Sequence, residues 1–406
     1  MFEKALMLGL YSITPVHAGS GAELSVIDLP IQRERHTDFP VIWGQSLKGV
    51  LRSTYKSMEL NEKVNNKTLR EKLEEDLKEL EKKIKETKNE EQRKELERKK
   101  SEIESKLKSP PKTTAIFGPE TDKASEHAGA ISVGDAKILL FPVRSLKGVF
   151  AYVTCPLVLE RFVEDVKFML KISKKNEKKI INENITKVCE FIKSLANSKE
   201  EKGNHEKLML SETSAIVFGN DLIVERNGKK YIILEDLLLE AKEINDNVKN
   251  AIVELLKGIL PENIEDRIDK KLVIVSDEVF TAFATTTTEI VARIKIDAGT
   301  GTVQRGALWY EEYLPSDTLL YSLIMIGKPR IWGKNDNERK ENEKKIMNAF
   351  NCNTLDDCVE RIAEELKSIG DYLQIGGNET VGKGFVKVKV WGGKYEHTEE
   401  LGTKED

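Results

Sequence analysis

From about Met58 to Lys108 the chain is dominated by Glu, Lys and Arg with isolated leucines, and it holds neither glycine nor tryptophan. Leu73, Leu77, Leu80 and Ile84 recur at a 4-3-4 spacing, Thr87-Lys88-Asn89 breaks the pattern, and Leu96, Ile103 and Leu107 resume it. Such spacing draws one narrow apolar stripe along a helix, too thin to line a globular core. It predicts an antiparallel helical hairpin that stops at Pro110-Pro111, where proline rings remove backbone donors. The remainder, residues 1–57 and 112–406, must then close into a globular body around an insertion at 58–111. The opposing charges of the insertion nearly cancel, so it reads as a solvated arm, or one that meets a neighbouring protein, rather than an RNA-binding stem.

With 406 residues the chain can bury a substantial core even without that arm. Charged residues make up 33% of it, yet the net charge is only −4. Interspersed charge of this kind excludes a wholly basic nucleic-acid coat but permits local cationic grooves. Cys155, Cys189, Cys352 and Cys358 match neither a zinc spacing nor a secreted disulfide framework. They read as packing residues in a reducing cytoplasm. The apolar run in MFEKALMLGLYSIT is too short for a signal peptide or a membrane span, and no membrane partner is expected.

In chain order, Ala5 to Thr14 is a β-prone segment that closes at Pro15, and Ala18-Gly19-Ser20-Gly21 can bring backbone N–H groups close to a ligand. Phe39 to Trp43 is a short apolar stretch. A helix starts at Gln45-Ser46-Leu47, with Leu47, Val50 and Leu51 inward and Lys48, Arg52 and Lys56 in a row on another face that can follow a phosphate backbone. The words FPVIWGQSLKGVLR and, from Phe141, FPVRSLKGVFAY echo each other and predict two similar turn-and-helix units. Residues 162–270 read as a mostly helical insertion with a loop near Ser198 to Glu206 and a hairpin within Ala215 to Ile233 around Asn227-Gly228. The alternation in EIVARIKID, a turn at 298–301 and TVQRGALWYEEYL make residues 289–314 the clearest β-hairpin signal. Leu319 to Ile326 is a buried strand, and charged helices follow between Glu338 and Ile369. IGGNETVGKGF then leads into a strand carrying Lys387 and Lys389 on one side, and residues 392–406 form a polar tail. That glycine loop lacks the terminal Ser or Thr of a phosphate-binding P-loop.

Three places carry chemistry. Asp28 stands alone among apolar residues in VIDLP. Read from the residues alone it is a turn-forming aspartate or a positioned ligand, with the turn favoured. Histidine as a residue type ordinarily titrates at about pH 6.5. His17 therefore suits acid or base work or a structural role, and His36 reads as structural. In an alternating strand Glu311 and Tyr313 share a face while Glu312 takes the other, and paired acids at a sheet edge are usually solvated.

The words LYSITPVHAGSG, VIDLPIQRERHTDFPVIWGQSLKGVLRS, IFGP, HAGAISVGDAKILLFPVRSLKGVFAYVT, TTEIVARI, LWYEEYLPSDTL and YLQIGGNETVGKGFVKV span most of the globular chain. In them the sequence resembles the RAMP superfamily of CRISPR-associated RNA-binding proteins, most closely the repeated backbone subunits of type III-B Cmr complexes. The resemblance implies an α+β fold with an RRM-like, ferredoxin-like palm, inserted finger elements and a β-hairpin thumb at 289–314. It implies as partners a crRNA guide, a complementary target RNA, copies of the chain in a helical filament and other Cmr subunits. It implies that guide-paired target RNA is cut at regular intervals with Mg²⁺ or Mn²⁺. On that pattern the catalytic aspartate, which would also hold the metal, falls on Asp28, with His17, Glu311 and Tyr313 assisting. Gln45, Ser46, Lys48, Arg52, Arg144, Lys147, Gly377 and Lys383 become candidates for the guide-binding groove. Two other readings stay open: a non-catalytic RNA-binding scaffold, and a metal-independent ribonuclease that matures guide RNA through His17 or His36.

Overall fold

The computed structural model describes residues 2–24, 26–64, 67–87, 89–108, 110–120, 125–173, 179–196 and 210–392. Strand β1 (Lys4–Ser12) is buried at every position from Ala5 to Ser12, as suits a strand covered on both faces. At Gly9 a Cβ would lie 2.0 Å from the carbonyl oxygen of Ile259. A residue without a side chain is what lets the 258–260 segment approach the strand so closely.

A long loop leads to β2 (Val41–Ile42) and helix α1 (Gly44–Asn61), which turns Leu47, Leu51 and Tyr55 into the core. The chain then leaves the body through a small hairpin, β3 (Lys63–Val64) and β4 (Lys67–Thr68), into α2 (Leu69–Glu86) and α3 (Glu90–Lys108). Thr68 and Glu71 form a capping box that starts α2. Lys100 of α3 meets Glu81 of α2 across the hairpin at 2.8 Å. The chain returns through α4 (Pro111–Phe117). The buried Glu59, in the last turn of α1, accepts the Lys112 and Thr113 amides at 2.9 and 2.8 Å and the Thr113 hydroxyl at 2.7 Å. One carboxylate thus stitches the chain leaving the body to the chain returning, so the arm hangs from two adjacent points. Replacing residues 63–108 by a short Gly-Ser linker is therefore expected to leave intact the fold and the RNA cutting that the resemblance implies. A lost assembly or an inactive one, judged by size-exclusion and cleavage assays, would count against this.

The body continues through β5 (Ile131–Val133), β6 (Ala136–Arg144), β7 (Phe150–Thr154), α5 (Pro156–Ile172) and α6 (Lys179–Ala196). After these come β8 (Ser214–Val217), β9 (Val224–Arg226), β10 (Lys229–Leu234), β11 (Leu237–Glu243), α7 (Asp246–Lys257), α8 (Glu262–Lys271), β12 (Leu272–Ile274) and α9 (Asp277–Thr286). The chain ends with β13 (Glu289–Ile296), β14 (Val303–Tyr313), β15 (Leu319–Ile326), α10 (Asp336–Phe350), α11 (Leu355–Lys367), β16 (Tyr372–Gln374) and β17 (Phe385–Trp391).

Thirteen of these strands form one mixed sheet in the order β16-β17-β1-β15-β6-β7-β12-β8-β11-β10-β9, with β2 paired to β6 and β5 to β15. Strand β6 turns the corner: its first half pairs with β15 and β2, its second half with β7. The sheet curls there, and the architecture is mixed α+β. Strands β13 and β14 stand apart as a two-stranded ribbon. Among the described residues no helix is long and apolar enough to cross a membrane.

The structure corrects several expectations. Within 162–270 the helices α5 to α8 cover more than half of the described residues, but β8 to β11 lie between them and extend the sheet. The apolar runs of these strands are too short for helices and fill a sheet edge instead. The hairpin around Asn227-Gly228 joins β9 to β10, with both turn residues at positive φ, whereas Ala215 belongs to β8, which runs parallel to β11. The loop at 198–206 falls outside the described residues, as does the tail beyond Gly392.

The Ser-Leu-Lys-Gly echo is not a repeated unit. Ser46–Gly49 lies inside α1, while Ser145–Gly148 is the tight turn between β6 and β7, with Gly148 and Val149 at positive φ and the Ser145 amide bonded to the Val149 carbonyl. A four-residue word takes the conformation its strand partners impose. Cys352 and Cys358 do not merely pack: Asn351, in the left-handed region, ends α10, and the two cysteines beyond it are disulfide-bonded with Cα atoms 5.4 Å apart. Cys155 and Cys189 are free.

Candidate active site and RNA-binding surface

The site lies on the open edge of β14. One edge of this strand pairs with β13, and two stretches of the preceding loop, Val16–His17 and Asp28–Leu29, lie along the other. Val16 bridges Leu314, the Leu29 amide donates to the Tyr310 carbonyl, and the Glu312 amide donates to the Leu29 carbonyl. Alternation then separates the two acids of the EEY word. Glu312, buried at 2% exposure, accepts Arg33 at 2.5 Å, Thr288 at 2.7 Å and the Ile31 amide at 3.0 Å. It fastens the loop to the ribbon. Glu311, 5% exposed, turns to the opposite face. The expectation that paired acids here are solvated is corrected for both, since each has enough donors around it to be buried.

Glu311 Oε1 accepts the Trp309 indole N–H at 2.8 Å; its Oε2 accepts the Tyr313 hydroxyl and, at 2.9 Å, the Asn378 amide. Arg293 of β13 stands 3.6 Å away. Burial works to raise the Glu311 carboxyl, but the hydrogen bonds from Tyr313 and Trp309 and the charges of Arg293 and His17 outweigh it and hold the group below its ordinary value. Burial, reinforced by Glu311, pushes the Tyr313 phenol up to about 12, so it stays a proton donor at neutral pH. Burial raises the neighbouring Glu289 carboxyl, and the charge of Lys383 opposes the shift.

His17 packs its ring 5.4 Å from that of Tyr313, and its Nδ1 lies 2.7 Å from the Glu312 carbonyl oxygen. A carbonyl only accepts, so Nδ1 carries a proton and Nε2 is the ring atom left to exchange one. A Cβ at Gly19 would lie 2.9 Å from that Nε2, so glycine there keeps the approach clear. The glycine loop closes over the other side. The Gly377 amide donates to the His17 carbonyl at 2.9 Å, and a Cβ at Gly376, which sits at positive φ, would lie 2.1 Å from that same oxygen. Lys383 Nζ lies 5.0 Å from the centre of the Tyr313 ring.

Asp28 is half-buried, and its Oδ2 accepts the Tyr310 amide at 2.7 Å. Tyr310 N and Glu312 O, the backbone atoms that hold Asp28 and His17, are two residues apart, about 7 Å along a strand. Asp28, His17, Glu311, Tyr313, Gly377 and Lys383 are thus gathered at one place. Gln32 ties this place to α1: its amide donates to the Gly19 carbonyl at 3.0 Å and to the Ser46 hydroxyl at 3.5 Å, and its oxygen accepts the Trp43 amide at 2.7 Å. Gln45, beside Ser46, is exposed at the start of that helix.

The cationic candidates are dispersed. Lys48 donates to the Ile131 carbonyl at 3.4 Å, and burial together with the charge of Arg52 lowers its pKa. Arg52 and Lys56 both face Glu120, at 3.5 and 3.3 Å. Arg144 pairs with Glu235 at 3.1 Å, and Lys147 donates to the Ile223 carbonyl at 2.8 Å. Arg144 ends β6 while Ala136, which starts it, pairs with Ile42 just before α1. Eight residue steps along β6, up to roughly 26 Å of extended chain, separate the Ile42 pairing beside α1 from Arg144. The two cationic groups do not form one patch. Sequence reasoning missed Trp309, Arg293, Asn378 and Gln32, while Gly19 lies in the loop it marked as able to approach a ligand. Trp309 was legible from its i−2 spacing to Glu311; Asn378 and Arg293 are brought in only by the folded ribbon and loop.

A family model described as the RAMP superfamily matches residues 10–191 and 159–387, and the chain belongs to that superfamily. Cmr4 proteins are among its relatives there. The chain is 40% identical over 388 residues to the CRISPR system Cmr endoribonuclease Cmr4 of Pyrococcus furiosus, covering 95% of this chain and 96% of that one. Its structure resembles the crystal structure of oligomeric Cmr4 from the same organism, with a TM-score of 0.55, 33% identity and coverage of 97% and 100%. A subunit of the type III-B Cmr-beta complex bound to cognate target RNA shares the fold at a TM-score of 0.55, with 20% identity and coverage of 96% and 98%.

Proposed function

We propose that the chain is the crRNA-binding backbone subunit of a type III-B Cmr effector complex and an endoribonuclease that cuts the target RNA paired to the guide. The observation that carries this is the open edge of β14, which gathers Asp28, His17, Glu311 and Tyr313 in a chain 40% identical to a Cmr endoribonuclease. Its partners are the guide, the target, further copies of itself along a helical filament and other Cmr subunits. The part of the sheet around β1, β15 and β6 is the RRM-like palm, β13–β14 the thumb, and 162–270 a finger-type insertion.

RNA scission by a neighbouring 2′-hydroxyl requires that hydroxyl to lose its proton, the phosphate charge to be stabilised and the leaving 5′-oxygen to gain a proton. His17 Nε2 takes or gives one of these protons. Lys383 and Arg293 supply positive charge beside Tyr313 and Glu311. Gln45 and Ser46 offer hydrogen bonds at the start of α1, and Lys48, Arg52, Arg144 and Lys147 reach guide phosphates by exchanging their present protein partners for RNA.

Among the described residues no group of three or more His, Cys, Asp or Glu side chains is arranged to hold a metal. A lone hard carboxylate fits Mg²⁺ or Mn²⁺ held mainly by water and substrate oxygens, and Asp28 is the residue to hold it. When bound, such an ion stabilises phosphate charge and favours ionisation of the attacking hydroxyl.

The test is a complex reconstituted with a guide of defined sequence and offered labelled complementary RNA. Cuts at regular intervals that need Mg²⁺ or Mn²⁺ and stop with EDTA are expected. Cutting of precursor guide that survives EDTA would replace this reading with guide maturation through His17, and guide binding without any cutting would leave a scaffold.

A further inference from the structure

We infer that Asn378 is a positioning residue that sets the direction of the Tyr313–Glu311 hydrogen bond and, through the Tyr313 ring, the placement of His17; the inference rests on the reading that this couple takes part in RNA cutting. The Asn378 Nδ2 lies 2.9 Å from Glu311 Oε2 and 2.9 Å from the Tyr313 oxygen. An amide nitrogen donates and never accepts. With Asn378 donating to the Tyr313 oxygen, the hydroxyl proton is left with the Glu311 carboxylate as its acceptor, and the three groups close a ring of hydrogen bonds.

The backbone makes this aim deliberate. Asn378 sits at φ 66°, ψ 28°, in the left-handed region that asparagine and glycine tolerate and most residues do not. Its own carbonyl accepts the Val381 and Lys383 amides at 3.1 and 3.2 Å, which fixes the turn that carries Lys383 to the Tyr313 ring. Gly376 and Gly377, just before it, are packed against the His17 carbonyl. One loop therefore touches the backbone of His17 and the side chains of Glu311 and Tyr313 together. The titratable and charged groups facing the couple are Arg293 and Glu289 on β13, His17 on the loop along β14, and Lys383 on the glycine loop.

Two substitutions separate this role from mere loop support. N378G keeps the left-handed backbone and removes the amide; N378D keeps the shape but sets a carboxylate against Glu311. In the guide-loaded complex, single-turnover cutting by N378G is expected to fall about 10- to 100-fold, the scale of a small misplacement of reacting groups, with target binding unchanged. For N378D the two carboxylates repel when both are ionised and share a proton when one is not. Its rate relative to wild type should therefore rise as pH falls from 8 to 5.5, while the N378G ratio stays flat. Wild-type cutting by N378G, or N378D and N378G losing activity in parallel at every pH, overturns the inference. So does loss of target binding or of folding in step with activity. Y313F identifies which idea fails. Impaired Y313F beside wild-type N378G sinks the role of Asn378 alone, and wild-type cutting by Y313F sinks the underlying reading and this inference with it.

Discussion

Replacing Asp28 by Asn is expected to lower target cutting by about 10³-fold or more while guide binding is kept, the scale on which a positioned acid–base or metal-holding group acts. Asn retains an oxygen able to accept the Tyr310 amide, so the loop stays pinned to β14 and only the charge is lost. Asp28→Ala removes the charge and that hydrogen bond together. The two variants should then be equally inactive, with Ala alone showing a small loss of thermal stability, since one net hydrogen bond is worth about 1 kcal/mol. The measurements are single-turnover cleavage with Mg²⁺ or Mn²⁺, a guide-binding titration and a melting curve. Wild-type cutting by Asp28→Asn would remove Asp28 from the mechanism.

Local patterns that depend on neighbours in sequence were legible. The β13–β14 ribbon follows from alternation, α1 from its apolar stripe and the arm from leucine spacing. Of the four glycines in IGGNETVGKGF, a residue type that permits positive φ, Gly376, Gly382 and Gly384 take it and Gly377 does not. What failed was whatever depends on partners far away. A strand such as β11, with its leucines followed by Glu and Lys, looks like a piece of helix until β8 and β10 are placed on either side. The second Ser-Leu-Lys-Gly word looks like the first until β7 is seen to pair with β6 just beyond it.

The same division runs through the site. Asp28 and His17 stood out by composition, but the reason they belong together is the buried Glu312, which clamps Arg33, Thr288 and the Ile31 amide and so lays the loop along β14. Nothing within a few residues of Glu312 announces that task. The cationic row on α1 shows the converse: its spacing is right for a phosphate backbone, yet Arg52 and Lys56 converge on Glu120, a residue that only the fold brings near. On the proposed function, guide binding by these side chains has to compete with that carboxylate, and RNA would exchange one set of ion pairs for another rather than meet bare charge.

Glu311→Gln should lower cutting by about 10²-fold, less than Asp28→Asn, and unlike it should also destabilise the protein. The Glu311 carboxylate accepts from Trp309, Tyr313 and Asn378 with Arg293 beside it. Gln offers one oxygen and one NH₂, so at least one donor is turned against another donor. A buried polar group left without a partner costs about 1–3 kcal/mol, and the groups here are coupled, so the costs do not simply add. The pH dependence has a definite sign. Hydrogen bonds and Arg293 hold the Glu311 carboxyl below its ordinary range. The stability it contributes is therefore fully present above the unfolded value, near 4.3, and is lost as pH falls through the lower folded value. The melting difference between wild type and Glu311→Gln should stay constant from neutral pH down to about pH 5 and close below about pH 4. A difference that persists unchanged to pH 3, or wild-type cutting by the variant, would show that the carboxylate is neither the charged centre of this network nor a support for the reacting groups.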